Sequence, residues 1–144
     1  MKREGIRRSV FWLAIICLVA CIGIYDYTID KQKNNFNISN VNWHADAKFW
    51  TDNTVNNIYD VKFQLLDGTD TRQISSKKPN YTMKIDSSAE KGKLNIKVYN
   101  NKKTLFEKSG NINKTIQISG SDSKNIKVEL TGKGAKGHTK ITLK

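Results

Sequence analysis

Few side chains in this sequence are of the types that carry out catalysis or bind metals. The two histidines, His44 and His138, fall on the polar phase of predicted strands, so we expect both in solvent. Neither belongs to a group of His, Asp and Glu with the spacing that three or four zinc ligands require. Neither lies in a motif typical of a Ser-His-Asp triad. We therefore predict that the protein is not an enzyme and uses no metal or cofactor.

Two short motifs resemble ion sites but lack essential parts. The segment 67–70, Asp-Gly-Thr-Asp, has neither the acidic spacing nor the distal Glu of an EF-hand, so we interpret it as a polar hairpin loop. Gly132, Gly134 and Gly137 could suggest a phosphate cradle. They precede a strand, however, so no helix N-terminus follows to hold an anion. A basic hairpin loop is the better interpretation.

Lysine is the residue type whose chemistry stands out. The chain has 21 Lys, four Arg and 15 Asn, and its formal net charge is +12. Lysines on outward strand phases and in nearby turns could form one basic face that contacts anionic polymer or lipid. The candidates are Lys97, Lys102, Lys103, Lys127, Lys133, Lys136 and Lys140, with Trp50 and Tyr99 as stacking platforms. A Lys/Asn bias typical of an AT-rich genome explains the same charge without any ligand.

Nucleic acid is not an expected partner despite this charge. RNA-binding sheets carry aromatic side chains interleaved with basic ones on one exposed face. In this sequence most aromatic residues fall on the buried phase of their strands.

An unbroken apolar-or-small run, Ser9–Tyr25, follows the basic residues near the N-terminus. It is hydrophobic all round, which indicates a membrane segment rather than a surface helix. Three interpretations stand: an uncleaved anchor, a lipoprotein signal with Cys21 lipidated after Leu-Val-Ala, and a cleaved secretory signal. The anchor is favoured because the run continues past Cys21 and no clean small-x-small cleavage site follows.

Charge around this segment predicts its orientation. Four Lys/Arg precede it, whereas Lys31 and Lys33 are the basic residues close behind it. The positive-inside rule therefore keeps the N-terminus in the cytoplasm and places the rest of the chain outside, at the cell membrane. We divide the chain into a basic flank (1–8), a transmembrane helix or signal anchor (9–25), a tether (26–40) and an extracytoplasmic domain (41–144).

The domain is predicted to be all-β. Apolar and polar residues alternate with period two in about eight short segments, and after residue 25 no stretch shows a sustained helical period. We expect an antiparallel β-sandwich with Trp43, Phe63, Ile96, Val128 and Ile141 facing inward. Lys97 and Lys127 face outward, and turns fall at 67–68 and 100–101. The domain has no cysteine, so it must fold on its hydrophobic core without disulfides.

The C-terminal part resembles small secreted or membrane-anchored β-sandwich proteins of bacterial envelopes. The similarity covers residues 93–143, through KLNIKVYNNKKTLFEKSG, NKTIQISG and NIKVELTGKGAKGHTKITL. It implies a strand, a hairpin ending in an aromatic residue and a glycine-containing turn before the last strand. It also implies an envelope location, and it carries no functional residue with it.

Two functional hypotheses follow from these features. In the first, the chain is a membrane-anchored, extracytoplasmic, non-enzymatic module that contacts anionic envelope components through a lysine-rich face. In the second, it is an accessory subunit of a membrane or secretion assembly. The interface with a protein partner would then be a sheet edge or the apolar segment, and the charge would be incidental. Binding that weakens steeply with salt is expected of the first hypothesis alone.

Overall fold

The computed structural model describes residues 35–144, which form seven antiparallel strands and one 3₁₀ turn. The prediction of an all-β antiparallel domain is confirmed. The elements are β1 (Phe36–Lys48), β2 (Thr51–Asp52), β3 (Ile58–Ser76), β4 (Tyr81–Tyr99), β5 (Thr104–Ser109), β6 (Ile112–Ile118), the 3₁₀ turn (Gly120–Ser123) and β7 (Ile126–Leu143).

The segment Ser9–Tyr25, Cys21 and most of the predicted tether lie outside the described residues. Strand β1 begins at Phe36, within the range 26–40 that the sequence assigned to the tether. In the part of the chain that the structure describes, no helix is long and apolar enough to cross a membrane.

Each of the three long strands changes its buried phase near the middle. The last buried hydrophobic residue of one phase and the first of the other are Phe63 and Leu66 in β3, Ile85 and Leu94 in β4, and Leu130 and Ala135 in β7. Side chains alternate between the faces of a strand, so such a change requires an irregular, bulged segment. Shifts of pairing register occur within these intervals in β3 and β4.

The bulges bend the strands back over themselves. The Tyr59 hydroxyl lies 2.9 Å from a carboxylate oxygen of Asp70, although both residues belong to β3. Eleven residues of straight strand would separate them by about 36 Å. The sheet is therefore folded along a line across β3, β7 and β4, which we call the crease.

Folding along the crease produces two layers, as in a β-sandwich. Layer A contains β2, residues 58–63 of β3, 137–143 of β7, 81–89 of β4, and β6. Layer B contains β1, residues 66–76 of β3, 126–132 of β7, 94–99 of β4, and β5. The chain also passes between layers beside the crease, at 49–50 and 110–111.

One hydrophobic core fills the space between the layers. The inward prediction is confirmed for Phe63, Ile96, Val128 and Ile141, which are at most 2% exposed. Trp43 takes the same phase as its half-buried neighbours in β1, but it sits on an edge strand and remains 41% exposed. Burial of both halves of each long strand in one cluster explains why the bends are stable.

Two of the predicted loops are parts of these bends. The segment 67–70 lies inside β3, and the glycine-rich segment 132–137 lies inside β7, so neither is a hairpin loop. Gly68 has φ +123°, and a Cβ there would lie 2.3 Å from the His44 carbonyl oxygen. Only glycine therefore fits where β1 and β3 approach each other. Glycine is also common in turns, which is why the sequence predicted a turn at this position. The predicted turn at 100–101 is confirmed between β4 and β5.

The end of the sandwich opposite the crease, which we call the open end, is where the chain enters. The backbone N–H of Lys77 donates to the Asn35 carbonyl at 2.9 Å, just before Phe36 pairs with Ser76. The connections 77–80 and 119–125 also cross between the layers there.

Candidate anion-binding site at the crease

The seven lysines singled out from the sequence do not share one face. Lys97 and Lys127 lie on the outer face of layer B, whereas Lys140 lies on the outer face of layer A. Lys102 and Lys103 occupy the β4–β5 turn at the open end. The strands β4 and β7 are neighbours, as the single-face hypothesis required, but the bends distribute their two halves over opposite layers. The two remaining lysines, 133 and 136, lie at the crease.

Acidic side chains lie beside three of the five candidate lysines that are away from the crease. Lys97 stands opposite Glu107 on one side and Glu129 on the other. Lys103 forms an ion pair with Asp122 at 3.0 Å, and Lys140 lies 3.6 Å from Asp60. Acidic residues therefore interrupt the positive charge around these three lysines.

At the crease, by contrast, lysines stand opposite other lysines and not opposite acidic residues. Lys91 of β4 pairs with Lys136 of β7, and two residues further Lys93 pairs with Lys133. We call these four residues the crease lysines. Directly opposed side chains have Cβ atoms about 4.5–5.5 Å apart, and like charges at that distance destabilise a sheet. Lys133 and Lys136 are among the candidates that the sequence indicates, whereas Lys91 and Lys93 are not, because their pairing depends on the register at the bulge.

One acidic residue contacts the crease lysines. Glu90 forms an ion pair of 2.6 Å with Lys136. The hydrogen bond and the charge of Lys136 lower the pKa of Glu90, and the charges of Lys62 and Lys91 contribute in the same direction. The carboxylate is fully exposed, so solvent screens this pair strongly. The cluster therefore keeps a net positive charge.

Glycines determine how closely the two strands approach at the crease. Gly92 has φ +72°, and a Cβ on it would lie 2.3 Å from the Gly134 carbonyl oxygen. Gly134 itself has φ +56°. Only glycine fits this contact, and the lysines on either side of Gly92 are held outward, where they are exposed.

A groove of about 610 Å³ extends from the crease along the outer face of layer B. Lys93 and Lys133 stand at its crease end, and the polar side chains of Asn95, Ser109 and Thr131 line its wall. The Ser109 hydroxyl donates to the Asn95 side-chain oxygen at 2.8 Å. The groove thus combines two ammonium groups with an amide and hydroxyls, which suits an anionic ligand that also carries hydrogen-bonding groups.

Of the two side chains predicted to be outward stacking platforms, one faces inward and the other faces outward. Trp50 is turned inward, where it stacks on Phe63 with ring centroids 5.8 Å apart, so the prediction of an outward platform is wrong. The cause is Phe49, whose φ of +51° breaks the alternation between β1 and β2 and leaves its own ring 82% exposed. Tyr99 faces outward as predicted, and the Lys97 ammonium lies 5.5 Å from its ring centroid.

One of the two histidines contacts an acidic side chain on the neighbouring strand. His138 is outward, as predicted, and its Nε2 lies 2.7 Å from Asp60 Oδ1. Within residues 35–144, no group of three or more His, Cys, Asp and Glu could hold a metal ion.

A buried polar network spans the two layers near β1 and β2. Asp70 is 0% exposed and accepts hydrogen bonds from Asn40, Tyr59 and Arg72, and Arg72 continues to Asp52 at 2.7 Å. Burial raises the pKa of Asp70, while the Arg72 charge acts in the opposite direction. Because its members bind one another around the fully buried Asp70, we interpret the network as structural.

Comparison with known proteins adds little. No family model and no curated protein matches the chain. A solved structure titled "CBM4 structure and function" is similar at 15% identity and a TM-score of 0.37, covering 78% of this chain and 86% of that one. A similarity at this level supports no functional assignment.

Proposed function

We propose that the chain is a non-enzymatic, membrane-anchored module of the cell envelope whose β domain binds an anionic envelope component at the crease. The observation that carries this proposal is the pair of successive Lys–Lys contacts, Lys91 with Lys136 and Lys93 with Lys133. A biased genome composition supplies lysines, but it does not explain why these stand opposite each other while others stand beside carboxylates.

The energetics of the crease favour a bound anion. Four ammonium groups around two adjacent cross-strand pairs repel one another, and Glu90 offsets one of them. An anion with several negative charges removes this repulsion and gains the attraction of the exposed ammonium groups. Solvation and salt weaken both effects, so the interaction is expected to depend strongly on ionic strength.

The geometry favours an extended anion over a single small one. The two lysine pairs are separated by two residues of β4 and three of β7, and neighbouring strands are about 4.8 Å apart, so the four ammonium groups are spread over the crease and not gathered at one point. The groove continues this line beside Asn95, Ser109 and Thr131. A polymer with regularly repeated phosphate or carboxylate groups fits such an arrangement.

Location is the second part of the proposal. The apolar run Ser9–Tyr25 supports an anchor, and the excess of preceding Lys/Arg supports an extracytoplasmic domain. The described residues begin at the open end, where Phe36 pairs with Ser76, so the crease is at the opposite end of the domain from Phe36.

The test uses the full chain in uncharged detergent with polyphosphate and poly-glutamate as probes. We expect both to bind at low salt, with affinity falling as NaCl is raised. The double variant Lys93→Glu/Lys133→Glu should bind at least about tenfold more weakly, which corresponds to about 1.4 kcal/mol. The control, Lys108→Glu/Lys124→Glu, makes the same change of net charge at exposed positions outside the crease.

Two results would reject the crease as the site. Equal losses in the two double variants would mean that only total charge matters. Absence of binding by the parent protein at low salt would leave the accessory-subunit hypothesis as the better explanation.

A further inference from the structure

Strand β1 forms one edge of layer B and is paired only on the side of β3 within residues 35–144. Six consecutive residues, 39–44, are exposed, among them Val41 at 45% and Trp43 at 41%. Half of the backbone N–H and C=O groups of an edge strand point away from its neighbour and are available to another strand.

Most of this edge lacks the charged residues that sheet edges usually carry. Natural proteins place charged residues, especially lysine, on exposed edge strands to prevent pairing with other chains. Residues 36–45, FNISNVNWHA, contain no Asp, Glu, Lys or Arg, although 26% of the whole chain is charged. The strands at the opposite edge of the sheet do contain charges, including Glu107, Lys108 and Lys114.

We propose that β1 is a dimerisation edge, which pairs antiparallel with β1 of a second copy of this chain. The domain carries 19 Lys/Arg and ten Asp/Glu, so two copies repel each other across most of their surfaces. The uncharged segment 36–45 is a place where a second copy can approach without that repulsion, and the two charges at the end of β1, Asp46 and Lys48, have opposite signs. A two-fold axis makes the contact self-complementary.

The β1 residues select one register. The pairing of β1 with β3 is regular from Asn42 to Lys48, after an irregularity between Asn40 and Asn42. A two-fold axis at Ala45, the middle residue of that segment, places Trp43 opposite Ala47 of the second copy. The large ring is then matched by a small side chain.

The same register matches the remaining side chains. On the polar face, His44 stands opposite Asp46 of the second copy, so the acidic residue meets a hydrogen-bonding partner rather than another carboxylate. Val41 and the 82% exposed Phe49 lie just beyond the two ends of the regular segment, so this register brings them near each other at the ends of the contact. One register therefore covers the exposed Trp43 and opposes no two like charges.

The test measures the mass of the full chain in uncharged detergent by sedimentation equilibrium from about 1 to 100 µM, which detects dissociation constants of about that range. We expect a concentration-dependent dimer. His44→Asp places a carboxylate opposite Asp46 and should raise the dimer dissociation constant at least about tenfold. The exchange His44→Asp/Asp46→His restores the opposed pair, so its dissociation constant should return to near that of the parent.

A matched control changes the charge at the other edge of the sheet. Thr115→Asp adds the same charge to an exposed position on β6, at the other edge, and should leave the dimer unchanged. A parent protein that is monomeric over the whole range overturns the proposal. A dimer that ignores His44→Asp is held by another part of the chain, which also overturns it. If the dimer of His44→Asp/Asp46→His dissociates as readily as that of His44→Asp, the register centred on Ala45 is wrong.

Discussion

Removing the carboxylate of Asp70 is expected to be among the most damaging single changes in the domain. This residue is 0% exposed and accepts hydrogen bonds from Asn40, from Tyr59 and from the Arg72 Nε–H, which both of its carboxylate oxygens share. In Asp70→Ala the Tyr59 hydroxyl, in a side chain that is 2% exposed, loses its partner, and the 9% exposed Arg72 side chain loses its buried counter-charge.

The magnitude follows from these two losses. An unsatisfied buried hydroxyl costs about 1–3 kcal/mol, and breaking a buried ion pair from one side costs about 3–5 kcal/mol. The losses share the same carboxylate and are not additive, so we expect about 3–5 kcal/mol in total. Asp52 also binds Arg72, but its side chain is 31% exposed, so Asp52→Ala should cost about 1 kcal/mol.

Urea titration of the full chain in uncharged detergent, followed by circular dichroism, measures these differences. The double variant Asp70→Leu/Arg72→Met should be more stable than Asp70→Ala, because no charge is then left buried without a partner. A loss below about 1 kcal/mol for Asp70→Ala, or a loss equal to that of Asp52→Ala, would refute our view that the buried carboxylate organises this network.

Three further predictions concern the core, pH and topology. Ile96→Ala should cost about 2–4 kcal/mol through lost burial and a cavity, and Lys97→Ala at most about 0.5 kcal/mol; equal costs in urea would mean that the strand phase is wrong. Burial favours a higher pKa for Asp52, but hydrogen bonds from Thr54 and Arg72 outweigh it and lower that pKa. The resulting stabilisation is present above the unfolded-state value of about 3.8 and is lost as pH falls through the folded-state pKa, so Asp52→Asn should flatten the acid limb of stability against pH. A phosphatase fused to the C-terminus should be active and a cytoplasm-dependent reporter inactive, whereas an active cytoplasmic reporter contradicts the orientation.

Much of the fold could be predicted from local sequence. Period-two alternation correctly placed Ile96 and Val128 inside and Lys97 outside, because a half-buried strand imposes that pattern residue by residue. The glycine segments at 67–68 and 132–137 were recognised as breaks. They were misinterpreted as turns between short strands, because a glycine that permits a bend within a strand has the same local signature as one in a hairpin.

The candidate site could be predicted only in part. The sequence indicated lysine as the residue type that could bind a ligand, and Lys133 and Lys136 were among the candidates. The partners Lys91 and Lys93 depend on the register of β4 against β7 at a bulge, which local sequence does not specify. Likewise, nothing in the sequence shows that Phe49 adopts a positive φ, which exposes its ring and turns Trp50 inward.

The sequence by itself determined the class of the domain, the phase of most strands and the absence of disulfides, because composition and alternation act locally. Tertiary structure decided which residues meet. Folding the sheet at the crease brought Tyr59 to Asp70, opposed the crease lysines in pairs and moved Lys140 to the face opposite Lys97. Such contacts join residues distant along the chain, and they depend on how the two bent halves of each strand bury their apolar sides against each other.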